Sequence, residues 1–339
     1  MDDAISVLSS VEVQTDENGD FKYATPIYVN QRYPWGNYES VDYSAAMGDN
    51  ATAPTVKNGV AHFQRIFDVA EEWMQEGRQV YISFQGVESA FYLYINGQRV
   101  GYVEDSYTAD DFNITPYLNA DGKDNVISVQ VYRWSIGSYL ENQDMIRLSG
   151  IFRDVYLYSK ADVEIRDFFL KPQLSKDLGT GTLEVDVDVC NHGAAKTAQV
   201  EVQLYPTDSD TPLLDEPITL DYELDAAQES FAEQIDDTGV RHSGSAVIDQ
   251  PLLWSADQPN LYRALIVLRD ADGNVIETAC QKIGFRRLDN VVINEDGQYQ
   301  LQINNEKIMI RGTNRHEAEM TRGRALTFED IKSDLMKMK

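Results

Sequence analysis

Cysteine is scarce in this chain. Only Cys190 and Cys280 occur, so a disulfide framework is excluded, no CxxC metal pattern exists, and two buried thiols are favoured over one bridge. Histidine is nearly as rare: His62, His192, His242 and His316 share no ligand spacing such as HExxH. Positive charge is short as well. With 29 Lys and Arg against 56 Asp and Glu, the net charge is −27. So acidic a surface repels phosphate backbones and anionic lipid, which argues against nucleic acid and membranes as partners. No apolar run approaches the roughly 20 residues of a membrane span, and Met1–Gly19 has neither the basic start nor the apolar centre of a signal peptide. No GxSxG elbow or phosphate-cradling glycine loop gives serine-hydrolase or nucleotide chemistry a starting point. The compartment stays undecided.

What the chain does have is β punctuation. At 339 residues it suggests two domains plus something partial. From Gly59 to Lys160, short runs of Val, Ile, Tyr and Phe are separated by Gly, Asn and Asp. In "FYLYINGQRVGYVED" the residues Phe91, Leu93 and Ile95 alternate with Tyr92 and Tyr94. Asn96-Gly97 then supplies the positive φ angles of a tight hairpin, and Val100 and Tyr102 are expected to resume the alternation. A two-sheet sandwich of jelly-roll type is the natural architecture for residues 1–160.

A second alternating region spans residues 161–286, with a hairpin expected at Asp272-Gly273. Some seven strands there fit an immunoglobulin-like sandwich, although no Cys, Trp, Cys framework is present. The acid-rich stretch "LDYELDAAQESFAEQIDDTGV" reads as a solvated connection. Residues 287–339 change character again: "VVINEDGQYQLQINNEKIMIRG" reads as hairpin strands and "TFEDIKSDLMKMK" as a helix. Thr327 and Asp330 have the spacing of a capping box, and Phe328, Ile331, Leu335 and Met338 recur at helical intervals. A strand at Ile308–Gly312, a loop and a helix in that order look like the first unit of an α/β barrel.

Three polar clusters stand out against this background. In "TPIYVNQRYPWGNYE", two prolines stiffen an aromatic-rich loop around Asn30. Aromatic faces beside an amide suit a sugar, and they equally suit packing against their own domain. In "WSIGSYLENQDMIRLSGIFRDVYLY", Asp144 and Arg147 form either a structural ion pair or a polar site. In "IMIRGTNRHEAEM", His316 and Glu317 follow an apolar run, beyond the C-terminal end of a strand, where α/β barrels place their active-site groups.

At these clusters the chain resembles glycoside hydrolase family 2, and within it the β-galactosidases of the lac-operon type. The phrases "TPIYVNQRYPW", "FQGVESAFYLYINGQRVGYVEDS", "RWSIGSYLENQDMIRLSGIFRDVYL", "LLWSADQPNLYRALIVL" and "IMIRGTNRHE" carry the likeness in the family's order. The resemblance implies a mainly β chain: a jelly-roll sugar-binding-like domain, N-terminally incomplete, then an immunoglobulin-like sandwich, then the start of a truncated (β/α)8 barrel. It implies that Asn30, Asp144 and His316 contact the galactose of a β-galactoside, that Asp144 also touches a sodium ion, and that Glu317 is supporting rather than catalytic. The family's two catalytic glutamates and its magnesium ligands would lie on parts of the enzyme not included here. The chain alone is therefore expected to be inactive, and homo-oligomerisation would belong to the intact enzyme. A stand-alone carbohydrate-binding sandwich, or a fragment of a β-glucuronidase or β-mannosidase, are the other readings.

Overall fold

The computed structural model describes residues 58–141, 146–224, 239–293, 297–319 and 323–339, together with Glu17, Ala53 and the backbone of Ile27–Tyr28. These fall into two compact units. The first comprises residues up to Ser159 together with Asn314–Lys339, and the second lies between Lys160 and Thr313.

The first unit contains β1 (Ile27–Tyr28), β2 (Val60–Phe67), β3 (Arg78–Phe84), β4 (Val87–Glu88), β5 (Ala90–Ile95), β6 (Gln98–Val103), β7 (Asp110–Asn113), β8 (Asn125–Tyr132), β9 (Ile146–Arg147), β10 (Gly150–Ile151) and β11 (Val155–Ala161). A four-stranded sheet in the order β2-β8-β5-β6 and a three-stranded sheet β11-β3-β7 form the sandwich. Alternation explains the core: Phe91, Leu93 and Ile95 on β5, Ile127, Val129 and Val131 on β8, and Val80, Ile82 and Phe84 on β3 are all buried in one apolar cluster. Phe84 lies 4.8 Å from Phe91, and Phe112 meets both rings edge-on at 6.2 and 5.9 Å.

The β5–β6 hairpin turns on Asn96 (φ 50°) and Gly97 (φ 78°), as the dipeptide predicts. Asn96 does more than turn. Its Oδ1 accepts from the Val126 N–H at 2.8 Å, while Nδ2 donates to the Tyr117 carbonyl at 2.8 Å and to Asn125 Oδ1 at 2.9 Å. An aspartate there would lose both donated bonds. The alternation after the turn is broken by a bulge, since Leu93 faces Gly101 while Tyr94 faces Arg99. Val100 and Val103 are buried in consequence. Tyr102, expected to follow Val100 inward, lies outside against Tyr92, with ring centroids 4.5 Å apart.

The second unit holds β12 (Val163–Leu174), β13 (Thr180–Asn191), β14 (Thr197–Pro206), β15 (Ile218–Glu223), β16 (Val240–Asp249), β17 (Tyr262–Arg269) and β18 (Val275–Ile283). Sheets β12-β13-β16 and β15-β14-β17-β18 make an immunoglobulin-like sandwich of seven strands. Its core packs Leu183, Val185, Val187 and Val189 with Val200, Val202, Leu204, Ala264, Ile266 and Leu268. The sheets approach so closely at Gly244 that a Cβ there would lie 2.6 Å from Ile218 Cγ2. The Asp272-Gly273 hairpin forms, with Gly273 at φ 85° and the Asp270 carboxylate gathering the backbone N–H groups of Asp272 and Asn274.

Two expectations are corrected here. The acid-rich stretch is not wholly a loop: Ile218, Leu220 and Tyr222 are buried along β15, and their acidic neighbours Asp221 and Glu223 face outward. Residues 225–238 of that stretch lie outside the described residues. Of the two free thiols only Cys190 is buried; Cys280 is exposed because it sits on β18 at the edge of its sheet.

Residues beyond Arg287 form the antiparallel set β19 (Leu288–Ile293), β20 (Tyr299–Ile303) and β21 (Glu306–Lys307). The run Ile308–Ile310 makes no strand, and Met309 and Ile310 are 70% and 80% exposed. A barrel strand is held by parallel neighbours, and none flanks it among the described residues. The helix α1 (Phe328–Met338) forms behind the expected capping box: Thr327 accepts from the Asp330 N–H, and Asp330 accepts from the Thr327 N–H at 2.8 Å.

Burial, reinforced by Asp105 and Asp111, pushes the Asp110 carboxyl on β7 up to about 6. A folded-state value above the unfolded value of about 3.9 favours the protonated form, so stability is lost as pH rises from about 4 through about 6. Asp110→Asn is therefore expected to raise the melting temperature at pH 7.5, with the gain vanishing near pH 4, as checked by thermal unfolding at both pH values.

Candidate functional site

The polar cluster with the strongest physical signature is built around a buried carboxylate. Glu88, at the end of β4, is 2% exposed. Strand β10 sets it in place, because Gly150 pairs with Glu88 and Ile151 with Val87. The preceding turn brings Arg147, itself 2% exposed, to Glu88 Oε1 at 3.2 Å. Glu88 Oε2 accepts from Arg324 Nη1 at 3.0 Å and from the Ser149 N–H at 3.4 Å. One carboxylate thus receives two guanidiniums, the pairing that a buried charge requires.

Aromatic rings complete the enclosure. Arg147 Nη1 donates to the Tyr107 hydroxyl at 3.1 Å, and the Arg324 guanidinium lies 4.5 Å from the Phe152 ring centroid and 5.2 Å from that of Tyr107. Burial raises the Tyr107 phenol, the Glu88 charge adds to the effect, and the two arginines oppose it. Arg133 is lowered by burial, against the Glu88 charge.

The same network extends to Glu141. Arg147 donates to the Glu141 carbonyl, joining the two ends of the segment 141–147. The Glu141 carboxylate accepts from the Ser106 N–H at 2.9 Å and the Ser106 hydroxyl at 2.7 Å. Burial raises the Glu141 carboxyl, and these two bonds hold it down. Asp144 lies outside the described residues, as does Asn30. The strands beside them are paired, however: β1 runs antiparallel to β9 with Ile27 opposite Arg147 and Tyr28 opposite Ile146. Positions two residues before Asn30 and two residues after Asp144 are thus in direct register.

His316 is described and exposed, on a stretch without regular structure, and its carbonyl accepts from the Ala318 N–H at 3.1 Å. Glu317 beside it is exposed too. Arg315, its other neighbour, donates to Asp334 on α1 from Nε at 3.2 Å and from Nη2 at 2.8 Å. Among the described residues no group of three or more His, Cys, Asp or Glu side chains is arranged for a metal ion, and no helix is long and apolar enough to cross a membrane.

Neither Glu88 nor Arg324 is singled out by a sequence motif. Glu88 carried one signal, a charge inside the otherwise strand-like "GVESAFYLYI". Arg324, in "TRGRAL", carried none.

Comparison with known families decides what this architecture belongs to. Residues 1–161 match the glycosyl hydrolases family 2 sugar binding domain, residues 163–286 the model described simply as glycosyl hydrolases family 2, and residues 295–339 the family 2 TIM barrel domain. The chain belongs to glycosyl hydrolase family 2. A β-galactosidase of Priestia megaterium is 39% identical over 99% of this chain and 29% of its own length. One of Yersinia enterocolitica is 38% identical over 94% of this chain and 28% of its own. The chain therefore spans less than a third of these family 2 relatives. The solved β-glucuronidase of Bacteroides uniformis shares the fold, with a TM-score of 0.70 at 24% identity over 83% of this chain and 32% of that one. Within the matched sugar binding domain, residues 1–161, Arg147 pairs with Glu88 and donates to the Glu141 carbonyl.

Ser106 offers a test of this network. Ser106→Ala removes one bond to the half-buried Glu141 carboxylate and is expected to cost about 1–3 kcal/mol at pH 7. Because the folded-state value of Glu141 lies above its unfolded value, the cost shrinks as the pH falls toward 4, where the carboxyl is protonated. Urea titration of both proteins at pH 7 and pH 4 checks it.

Proposed function

We propose that this chain forms the galactose-binding front of a retaining β-galactosidase and does not itself hydrolyse glycosides. The observation that supports the reading is the register of β1 with β9, in which Tyr28, two residues before Asn30, pairs with Ile146, two residues after Asp144. The β-galactosidase names of the relatives at 39% and 38% identity support the choice of sugar. On this reading residues 1–160 are the sugar-binding domain, 161–286 the immunoglobulin-like sandwich and 287–339 the start of the barrel. Asn30 and Asp144 hydrogen-bond the galactose, and His316 contacts it from the barrel side.

Hydrolysis needs more. A retaining glycosidase holds an acid/base carboxyl and a nucleophilic carboxylate about 5–5.5 Å apart across the scissile bond. A (β/α)8 barrel takes about 250 residues to close, and the match to the barrel model is confined to residues 295–339. The reading therefore assigns the catalytic glutamates to other parts of the enzyme. Asp144 is also assigned a sodium ion, for which a carboxylate oxygen is a suitable hard donor. Magnesium belongs to ligands outside these residues, and self-association to the whole enzyme.

Saturation-transfer NMR with galactose tests the pocket, since it registers weak binding to a site that has only part of its wall. Signal from galactose that disappears in Asp144→Ala and Asn30→Ala is the expected result. Equal signal from galactose in the wild type and Asp144→Ala would contradict the assignment. A nitrophenyl β-galactoside is expected to be left intact by the purified chain, and turnover abolished by Asp144→Ala would overturn the second half of the proposal.

A further inference from the structure

We infer that Arg324 is the positioning residue of the His316 loop, which it latches to the sugar-binding domain through Glu88. The role of His316 toward sugar rests on the reading above; the latch itself does not. Apolar packing does little to hold this stretch. Among the described residues from 308 to 339 none is buried, and α1 has no buried residue, with Phe328 75% exposed. The Arg324 side chain is the contrast, at 8% exposure.

Three features show a seat shaped for it. Its Nη1 reaches Glu88 Oε2 at 3.0 Å, on the oxygen opposite the one that Arg147 occupies. Its guanidinium lies against Phe152 and Tyr107, whose faces attract a cation that has left water. The residue before it, Gly323, has φ +61°, and a Cβ there would fall 2.4 Å from Leu148 Cδ1. The backbone therefore rests directly on the "RLSG" stretch that carries Arg147. Lysine would keep the charge and lose the planar fork and the stacking.

From this anchor the constraint passes in both chain directions. Glu319 and Gly323 exchange backbone hydrogen bonds of 2.7 and 2.8 Å, which tie Glu319 to the residue just ahead of Arg324. Behind it, Thr327 caps α1, and Asp334 on that helix holds Arg315, the neighbour of His316. His316 thus follows the position of Arg324 through two routes. A site assembled this way is held by its supporting shell, without contact between Arg324 and any ligand.

The test uses this chain and no sugar, so its failure and that of the galactosidase reading are separate. Hydrogen exchange at the Glu319 and Gly323 amides, and the His316 Cε1–H resonance in a 13C-labelled sample, are followed in the wild type, Arg324→Gln, Arg324→Lys and Arg315→Gln. Loss of a buried ion partner is expected to speed exchange at both amides by at least about 100-fold in Arg324→Gln. The His316 resonance should move to its unstructured position there, while β5 and β8 keep their protection. Arg324→Lys should fall between. Arg315→Gln should shift the His316 resonance while leaving the Gly323 amide protected. Unchanged exchange and an unmoved resonance in Arg324→Gln would overturn the inference. So would equal loss of protection in β5, β8 and the loop, which would mark Arg324 as a general support. Should Arg324→Gln fail to fold, an unmoved His316 resonance in Arg315→Gln would overturn it instead.

Discussion

A carboxylate taken out of water must be met by donors, and Glu88 imposes that condition on the sugar-binding domain. Its two oxygens draw in Arg147 from one part of the chain and Arg324 from another. Arg147 in turn joins the two ends of the segment 141–147 at the Glu141 carbonyl, and Arg324 seats the turn that leads to α1. Each guanidinium without Glu88 would be a buried cation lacking its main partner, and Glu88 without both would be a buried anion. Replacing such a group with an apolar one of similar shape is often harmless, whereas removing one partner is not. The hub therefore serves to fix geometry rather than to add stability, which suits a site whose parts come from distant stretches of sequence.

The β framework supplies what the hub needs. Alternating side chains on β3, β5 and β8 build a rigid apolar core, and short strands β4, β9 and β10 lie beside it, carrying the polar residues. Charged side chains are thereby placed by backbone ladders: Gly150 opposite Glu88, Arg147 opposite Ile27. Among the described residues of the immunoglobulin-like unit, Glu164 is also buried, but its partners Lys160 and His192, at 3.7 and 3.2 Å, are each 24% exposed. Other pairs of that unit, such as Arg269 with Glu201 and Arg263 with Asp210, lie at partly or fully exposed positions where ion pairs contribute little.

What the sequence made legible follows the range of the interactions. Asn96-Gly97, Asp272-Gly273 and the Thr327–Asp330 cap are local: each is decided within four or five residues, and each forms as expected. Strands β12, β13, β14, β17 and β18 of the second sandwich were readable from period-two alternation. β15 was missed for a physical reason: its acidic residues occupy the outward face of a strand, and a count of charges obscures the buried Ile218, Leu220 and Tyr222 between them. The bulge at Val100 was equally hidden, because the register of a hairpin depends on its partner strand as well as its turn. Glu88 lies 59 residues from Arg147 and 236 from Arg324, and no local pattern records such a pairing. Asn30, Asp144 and His316 were found through motif likeness; of these the described structure includes only His316, while placing strands beside the other two.

The most direct measurement is a double-mutant cycle on Glu88→Gln and Arg147→Gln, read as the free energy of opening at the β5 and β8 amides by native-state hydrogen exchange. If Glu88 is the hub, each single change costs about 3–5 kcal/mol and the double change costs little more than either one, because the second charge no longer lacks a partner. Costs that add to within about 0.5 kcal/mol would show two independent residues and contradict the central role assigned to this carboxylate.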